Sequence, residues 1–282
     1  MTDQVPGARW RERPAWRATV IAAPALFLAL VSFWEMVVVS RVRVRAPSER
    51  DWQALSAAVR AAHRPGDLIV FAPGWIDPLG RHYLGDLIPL EMAGRMDAAR
   101  YPVIWEVSER GARARETADL EPDRSQDFGR LTLRHYRQRA AVVVTDFAAA
   151  LPGAEVSGRS RGAPSVLLEE VGFEPHRCVV VVPAPDQTVR IRYPAVELGA
   201  ELVGHVGLAD VFTRRDVRDP ARLVVSIDGR TVADLTVGVD DGWVRFRALT
   251  TPHAGAVVEI AATAIGPRAR DRRVCFAAEA RR

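Results

Sequence analysis

RLVVSIDGRTVADLTVGVDDGWVRFRAL, residues 222–249, reads as three strands separated by two turns. Leu223, Val225 and Ile227 share one face by the two-residue period of an extended chain, and Val244 and Phe246 share another. Asp228-Gly229 and Asp241-Gly242 stand between the apolar runs, as turn residues that tolerate a left-handed backbone. The same rhythm continues outward on both sides. SVLLEEV, RCVVVVP, TVRIRY, AVVEIAATAI and RRVCFAAEA are strand-like, with further turn signals at Pro252 to Gly255 and at Gly266-Pro267. Val189, Ile191 and Tyr193 alternate with Arg190 and Arg192. Residues 160–282 are therefore expected to form an antiparallel β-sandwich of jelly-roll type.

Upstream the pattern changes. Residues 152–164 are rich in Gly, Ser and Arg and mark a domain boundary. Before them, Ser48 to Asp51 has the form of a capping box, and Trp52, Leu55, Val59 and Ala62 follow at helical spacing. Pro65-Gly66 ends that helix, and DLIVFA, residues 67–72, is a short apolar strand. A second helix is expected from about Pro78 to Met96 with a break near Pro89, then a strand at VIWEV, residues 103–107. A further helix is expected over 110–120, and strands over 131–137 and 141–145. This alternation predicts a small α/β parallel-sheet domain over residues 48–150. The fold class is thus α+β and multidomain.

ATVIAAPALFLALVSFWEMVVVS, residues 18–40, has one acidic residue, Glu35, and no basic one. A helix of this length reaches roughly 30–35 Å, enough to cross a bilayer. The alternatives are a cleaved signal peptide, for which SRVRVR is a poor cleavage site, and a buried core helix, which would show a polar face. Arginines flank both ends, so charge bias decides orientation weakly; the reading is a cytoplasmic tail, residues 1–17, and an extracytoplasmic body at the bacterial inner membrane.

The net charge of +4 does not point to nucleic acid. The chain has no Lys and no Asn, so its arginines reflect base composition as much as function. Cys178 and Cys275 form no CxxC pair; they are either one disulfide or two small core residues. HExxH and GxxxxGK[ST] are absent, and the six histidines show no i,i+4 pair, so no metal or cofactor is expected. Asp240-Asp241-Gly242 and Asp216 with Asp219 read as acidic turns rather than calcium loops.

Two groups of residues stand out as candidate sites. On GWVRFRAL, Val244 and Phe246 point inward, which leaves Trp243, Arg245 and Arg247 outward, with Arg190 and Arg192 extending that face if their strand is a neighbour. An indole beside guanidinium groups suits a sugar: the ring stacks on its apolar face and arginine donates paired hydrogen bonds. Trp75, His82, Tyr83 and Asp86 form a second polar group near one helix start.

Asp51-Trp52, Pro65-Gly66-Asp67, Tyr83 and Trp105 together resemble the soluble extracytoplasmic domain of bacterial GT-C, protein mannosyltransferase-like, membrane glycosyltransferases, over roughly residues 20–147. That resemblance implies a domain on the outer membrane face, with the Trp75–Asp86 group turned toward the membrane, a lipid-linked sugar or a polytopic partner. It does not carry catalysis over, because those transferases span the membrane many times and this chain has one such helix. GLADVFTRRD and VVSIDGRTVADLTVGVDDGW more loosely resemble galactose-binding-like jelly rolls. The expected function is carbohydrate recognition, or an accessory part in envelope glycosylation, without catalysis. A glycan-active enzyme with an unrecognised carboxylate pair and a purely structural envelope subunit are the alternatives.

Overall fold

The computed structural model describes residues 14–209, 219–266 and 272–282. The expected tail therefore lies almost wholly outside the described residues, as do Asp216 and most of GLADVFTRRD. Helix α1, Pro14–Arg45, contains the apolar stretch. Its Ala23–Arg41 segment is long and apolar enough to cross a membrane, and none of it is buried against the rest of the chain.

Helix α2, Glu49–Ala62, starts as its sequence requires: Ser48 Oγ accepts from the Asp51 N–H at 3.2 Å and Asp51 Oδ2 from the Ser48 N–H at 2.9 Å. It buries Trp52, Leu55 and Val59. Strand β1, Leu68–Ala72, is buried along its whole length. Helix α3, Asp77–Leu84, is followed by a 3-10 turn, Gly85–Leu87, and one turn, α4, Leu90–Ala93, so the helix expected to reach Met96 is shorter and breaks before Pro89.

Strands β2, Val103–Glu109, β3, Arg124–Phe128, and β4, Leu131–Arg137, complete a sheet in the order β1-β2-β4-β3. Only β1 and β2 run parallel; β2 with β4 and β4 with β3 are antiparallel. The parallel sheet expected for this domain is a mixed one. The cause is local: a two-residue hairpin at Gly129-Arg130 returns the chain without a crossover helix, and Gly129 holds a left-handed φ of 62°.

The helix expected over 110–120 is also absent. Glu106, fully buried on β2, accepts from the Ala114 N–H at 2.9 Å and from the Thr117 hydroxyl, and pairs with Arg134 at 2.7 Å. A carboxylate that takes the segment's own donors competes with a helix for them. Arg110 and Gly111, at φ 58° and 72°, turn the chain there.

The second half is a β-sandwich. One sheet has the order β13-β10-β15-β8-β7 with β5 added beside β15; the other has the order β12-β11-β14-β9-β6. The strands are β5, Val143–Asp146; β6, Glu155–Ser157; β7, Ser165–Val171; β8, Glu174–Val181; β9, Thr188–Leu198; β10, Glu201–Ala209; β11, Ala221–Ile227; β12, Arg230–Val237; β13, Val244–Leu249; β14, His253–Ala264; and β15, Arg273–Arg281. A turn of helix, α5, Phe147–Ala150, follows β5. The inward residues read from the alternation, among them Val189, Ile191, Leu223, Val225, Phe246 and Val258, form one shared core.

Two features of the sandwich depart from the sequence reading. The strand expected at 141–145 does not join the first sheet; β5 pairs with β15 and β6 with β9, so both belong to the sandwich. Strand β10 has no counterpart among the strands read from the sequence, because Gly204 and Gly207 interrupt its apolar run. Both glycines sit under close neighbours: a Cβ at Gly207 would lie 2.9 Å from a Val171 methyl, and one at Gly204 would strike the Phe246 ring. Cys178 and Cys275 are fully buried and bonded to each other, their Cα atoms 5.7 Å apart.

Candidate functional site

The two halves meet on the outer face of the sandwich sheet that contains β10 and β15. An ion-pair network, buried at Arg281 and Glu279 and exposed at Arg100, seals part of this contact. Arg281 grips Asp97 through two bonds of 2.9 Å and also bonds Glu279 at 2.7 Å, while Arg100 reaches Glu279 and Asp146, each at 2.8 Å. Burial works against the charge on Asp97, but the paired Arg281 outweighs it and holds the carboxyl below its ordinary range. Met96 packs into an apolar cluster with Cys178, Val203 and Cys275 on the same face.

Beside this seal the halves part around a cleft of about 770 Å³. One wall is the carboxyl-terminal part of β1 with the segments that follow β1 and β2, including Asp77, Arg81, Arg95 and Arg113 to Glu116. In open α/β sheets the crevice beyond the carboxyl ends of parallel strands is the usual place for ligands. The other wall belongs to the sandwich: Phe173, Glu174, His176, His205, Trp243 and Arg245.

The β7–β8 hairpin builds much of that second wall. Its two-residue turn is Gly172-Phe173, at φ 60° and 68°. Near Gly207 the Val171 side chain lies over β10, and the Glu174 carbonyl accepts from Trp243 Nε1 at 2.8 Å. Phe173 is 92% exposed. A left-handed backbone is costly for a bulky residue, and a turn of this kind favours Gly or Asn. A bulky residue held in a left-handed turn at the mouth of a cleft is a candidate for binding rather than for folding.

Behind it lie two histidines. The His176 ring stacks on Trp243 with centroids 4.2 Å apart and on His205 at 5.3 Å. Both rings are more than nine-tenths buried, and Nδ1 of each has no hydrogen-bond partner. Burial, and then the neighbouring His205, push His176 down to about 3. Burial likewise lowers His205 to about 4, with Asp97 pulling in the opposite direction. Both are therefore neutral imidazoles at pH 7.

Charges in the cleft are largely matched. Arg81 bonds Asp77 at 2.6 Å, Arg115 bonds Glu174 at 3.0 Å, Arg95 pairs with Glu116, and Asp97 is held from outside by Arg281. Arg113 donates to the carbonyls of Thr117 at 2.5 Å and Leu120 at 2.7 Å. Arg245, directly across from His205 in the β13–β10 register, is exposed and makes no ion pair or hydrogen bond among the described residues.

The expected outward face of β13 is thus divided. Trp243 is half-buried against His176 rather than freely presented, Arg245 faces the cleft, and Arg247 bonds Glu201 at 2.6 Å. Arg190 and Arg192 do not extend this face: β9 lies in the other sheet, where they pair with Glu259 at 3.4 Å and Glu155 at 2.8 Å.

In the second group, Trp75 is 63% exposed and His82 is exposed beside the Tyr83 ring. Tyr83 stacks on Trp52 at 5.4 Å, and Asp86 is held by Arg60 at 2.6 Å. The residues that carried the first resemblance are joined to one another in the same way. Trp52 meets Tyr83, and Trp105 Nε1 donates to Asp67 at 3.0 Å. They hold the domain together and do not form the cleft's polar lining.

The sequence reading missed Phe173, His176 and His205. A signal existed for the first: an aromatic in a two-residue link between strand-like runs. It also missed Gly158-Arg159-Ser160-Arg161-Gly162, which has GxSxG spacing. Here Ser160 donates to the Val182 carbonyl at 3.1 Å in a loop between β6 and β7 that opens no helix, so it is no nucleophile elbow. Asp241 accepts from the Gly238 N–H at 2.7 Å and closes a turn, and no cluster of three metal-ligating side chains occurs among the described residues.

No protein-family model matches the chain, and no curated protein does. Solved structures do. The CBM51-2 and INT domains of Clostridium perfringens ZmpB, in complex with GlcNAc, align at TM-score 0.35 and 11% identity over 62% of this chain and 40% of that one. CBM51 from Clostridium perfringens GH95, in complex with methyl-galactose, aligns at 0.30 and 11% over 44% of this chain and 92% of that one. A family 35 carbohydrate-binding module from Clostridium thermocellum gives 0.26 and 12% over 50% and 97%. The chain thus spans 40% of the length of the first of these. These neighbours are carbohydrate-binding modules; likeness at this level carries no argument about function.

Proposed function

We propose that this chain is a membrane-anchored, extracytoplasmic carbohydrate-recognition protein whose ligand sits in the cleft between the α/β domain and the sandwich. The observation that carries the reading is Phe173, 92% exposed in a left-handed turn at the cleft mouth, in front of the stacked Trp243 and His176. An exposed aromatic edge, a second aromatic wall and imidazole and guanidinium groups match a pyranose, which offers one apolar face and a ring of hydroxyls. In this reading the role is non-catalytic, and each of the four carboxylates lining the cleft pairs with an arginine.

Helix α1 serves as the anchor, with only residues 46–48 between it and α2. The α/β domain would then stand close to the bilayer, with exposed Trp75 and His82 available to a lipid-linked sugar or a polytopic glycosyltransferase, as the first resemblance implies. The domains divide near residues 138–142, where the chain leaves β4 for β5. A glycan array probed with the full chain in detergent micelles tests the recognition. Retention of saccharides that Trp243→Ala weakens supports it, and no retention on any saccharide refutes it. A reporter fused after Arg282 tests the topology; activity on the cytoplasmic side refutes the orientation.

A further inference from the structure

The charge pattern of the cleft narrows its ligand. Its acids and bases cancel in pairs on short bonds: Asp77 with Arg81, Glu116 with Arg95, Glu174 with Arg115. Asp97 is neutralised from behind by Arg281. Arg113 is tied to two backbone carbonyls and lies 3.7 Å from Glu106. One guanidinium is left over. Arg245 is exposed, makes no ion pair or hydrogen bond among the described residues, and stands across from His205 on the cleft wall.

A guanidinium fork without an ion-pair partner is matched by one planar carboxylate, which it can bind through two parallel bonds. A dianionic phosphate would call for more unmatched positive charge than this wall holds. The two neighbouring imidazoles add hydrogen-bonding groups without adding charge. Each neutral ring carries one N–H, and a buried nitrogen without a partner is better tolerated as a bare lone pair than as an orphaned N–H. With Nδ1 buried and unpartnered in both, the proton belongs on Nε2.

Resting on the reading of the cleft as a saccharide site, we infer that its ligand is a monoanionic sugar, a pyranose bearing one carboxylate. The carboxylate lies on Arg245, hydroxyls face His176 and His205, and the apolar face of the ring lies toward Phe173.

Titration of the full chain in detergent micelles, followed by tryptophan fluorescence and by calorimetry, tests this with three probes: D-galacturonic acid, D-galactose and inorganic phosphate. The wild type is expected to bind the uronic acid about tenfold more tightly than the neutral sugar, the size of one charge-assisted pair. Arg245→Met should bring that ratio close to one without changing the neutral sugar's affinity by more than about twofold. Arg245→Lys, which keeps the charge and loses the fork, should fall between. Arg222→Met, on the opposite sheet, should leave the ratio unchanged. Arg245 makes no hydrogen bond or ion pair among the described residues, although its charge acts on Asp97 and His205, so thermal unfolding of each variant accompanies the titration.

Equal affinity of the two sugars in the wild type overturns the inference and leaves the saccharide reading standing. A tenfold preference that survives Arg245→Met overturns it as well. Phosphate binding as tight as the uronic acid overturns both, since the site would then recognise charge alone, and absence of binding by all three probes likewise counts against both.

Discussion

Replacing Phe173 by Asn should make the protein more stable and a poorer binder at once. The side chain is 92% exposed, so removing it forfeits almost no buried surface. Its backbone sits at φ 68°, next to Gly172 at φ 60°, and a left-handed conformation costs a residue with a bulky Cβ substituent about 1–2 kcal/mol. Asn bears much of that conformation through its own short polar side chain, so the expected gain is about 0.5–1 kcal/mol. For a chain of this size that is about 1–4 °C in Tm. Loss of an aromatic contact to a sugar ring, at about 0.5–1.5 kcal/mol, should weaken binding about two- to twelvefold. Thermal unfolding and galacturonic acid titration on the same preparation read both effects. A lower Tm would mean that Phe173 is structural, and unchanged affinity would remove it from the site; either result refutes the reasoning that strain at this turn is tolerated for the sake of the ligand.

Three further outcomes are expected. Folding should weaken as pH falls from about 6.5 toward 4: His176 and His205 stay neutral when folded, near 3 and 4, while the unfolded chain takes up protons at its ordinary imidazole value. At pH 5 this amounts to about 2 kcal/mol per ring, and a His176→Gln, His205→Gln double variant should show a flatter stability–pH profile. Asp97→Asn strips buried Arg281 of its bidentate partner and should cost about 3 kcal/mol in denaturant titration, the low end for a broken buried pair because Glu279 still contacts it. Non-reducing mass spectrometry should find Cys178 and Cys275 bonded, and the Cys178→Ala, Cys275→Ala pair should lose about 2–5 kcal/mol, since the bond closes a separation of 97 residues.

Much of this molecule is legible in the chain itself. The α2 cap, the buried face of Trp52, Leu55 and Val59, and the alternation that places Val189, Ile191, Leu223 and Phe246 inside follow from spacing and local hydrogen bonding, which act over a few residues. So does the apolar length of α1. What the sequence could not settle depends on partners distant along the chain. Glu106 diverts the donors of Ala114 and Thr117, so a helical pattern becomes a loop. Gly204 and Gly207 hide β10 from any reading of apolar runs, yet they let Phe246 and Val171 pack against the strand that carries His205.

The cleft itself belongs wholly to the tertiary structure. His176, His205, Trp243, Arg245 and the segments after β1 and β2 are scattered through the sequence and meet only because two separately cored units pack face to face. Local periodicity fixes which side of a strand a residue takes; which face that side meets, and whether its charges are cancelled there, is set by packing between elements that the sequence lists far apart.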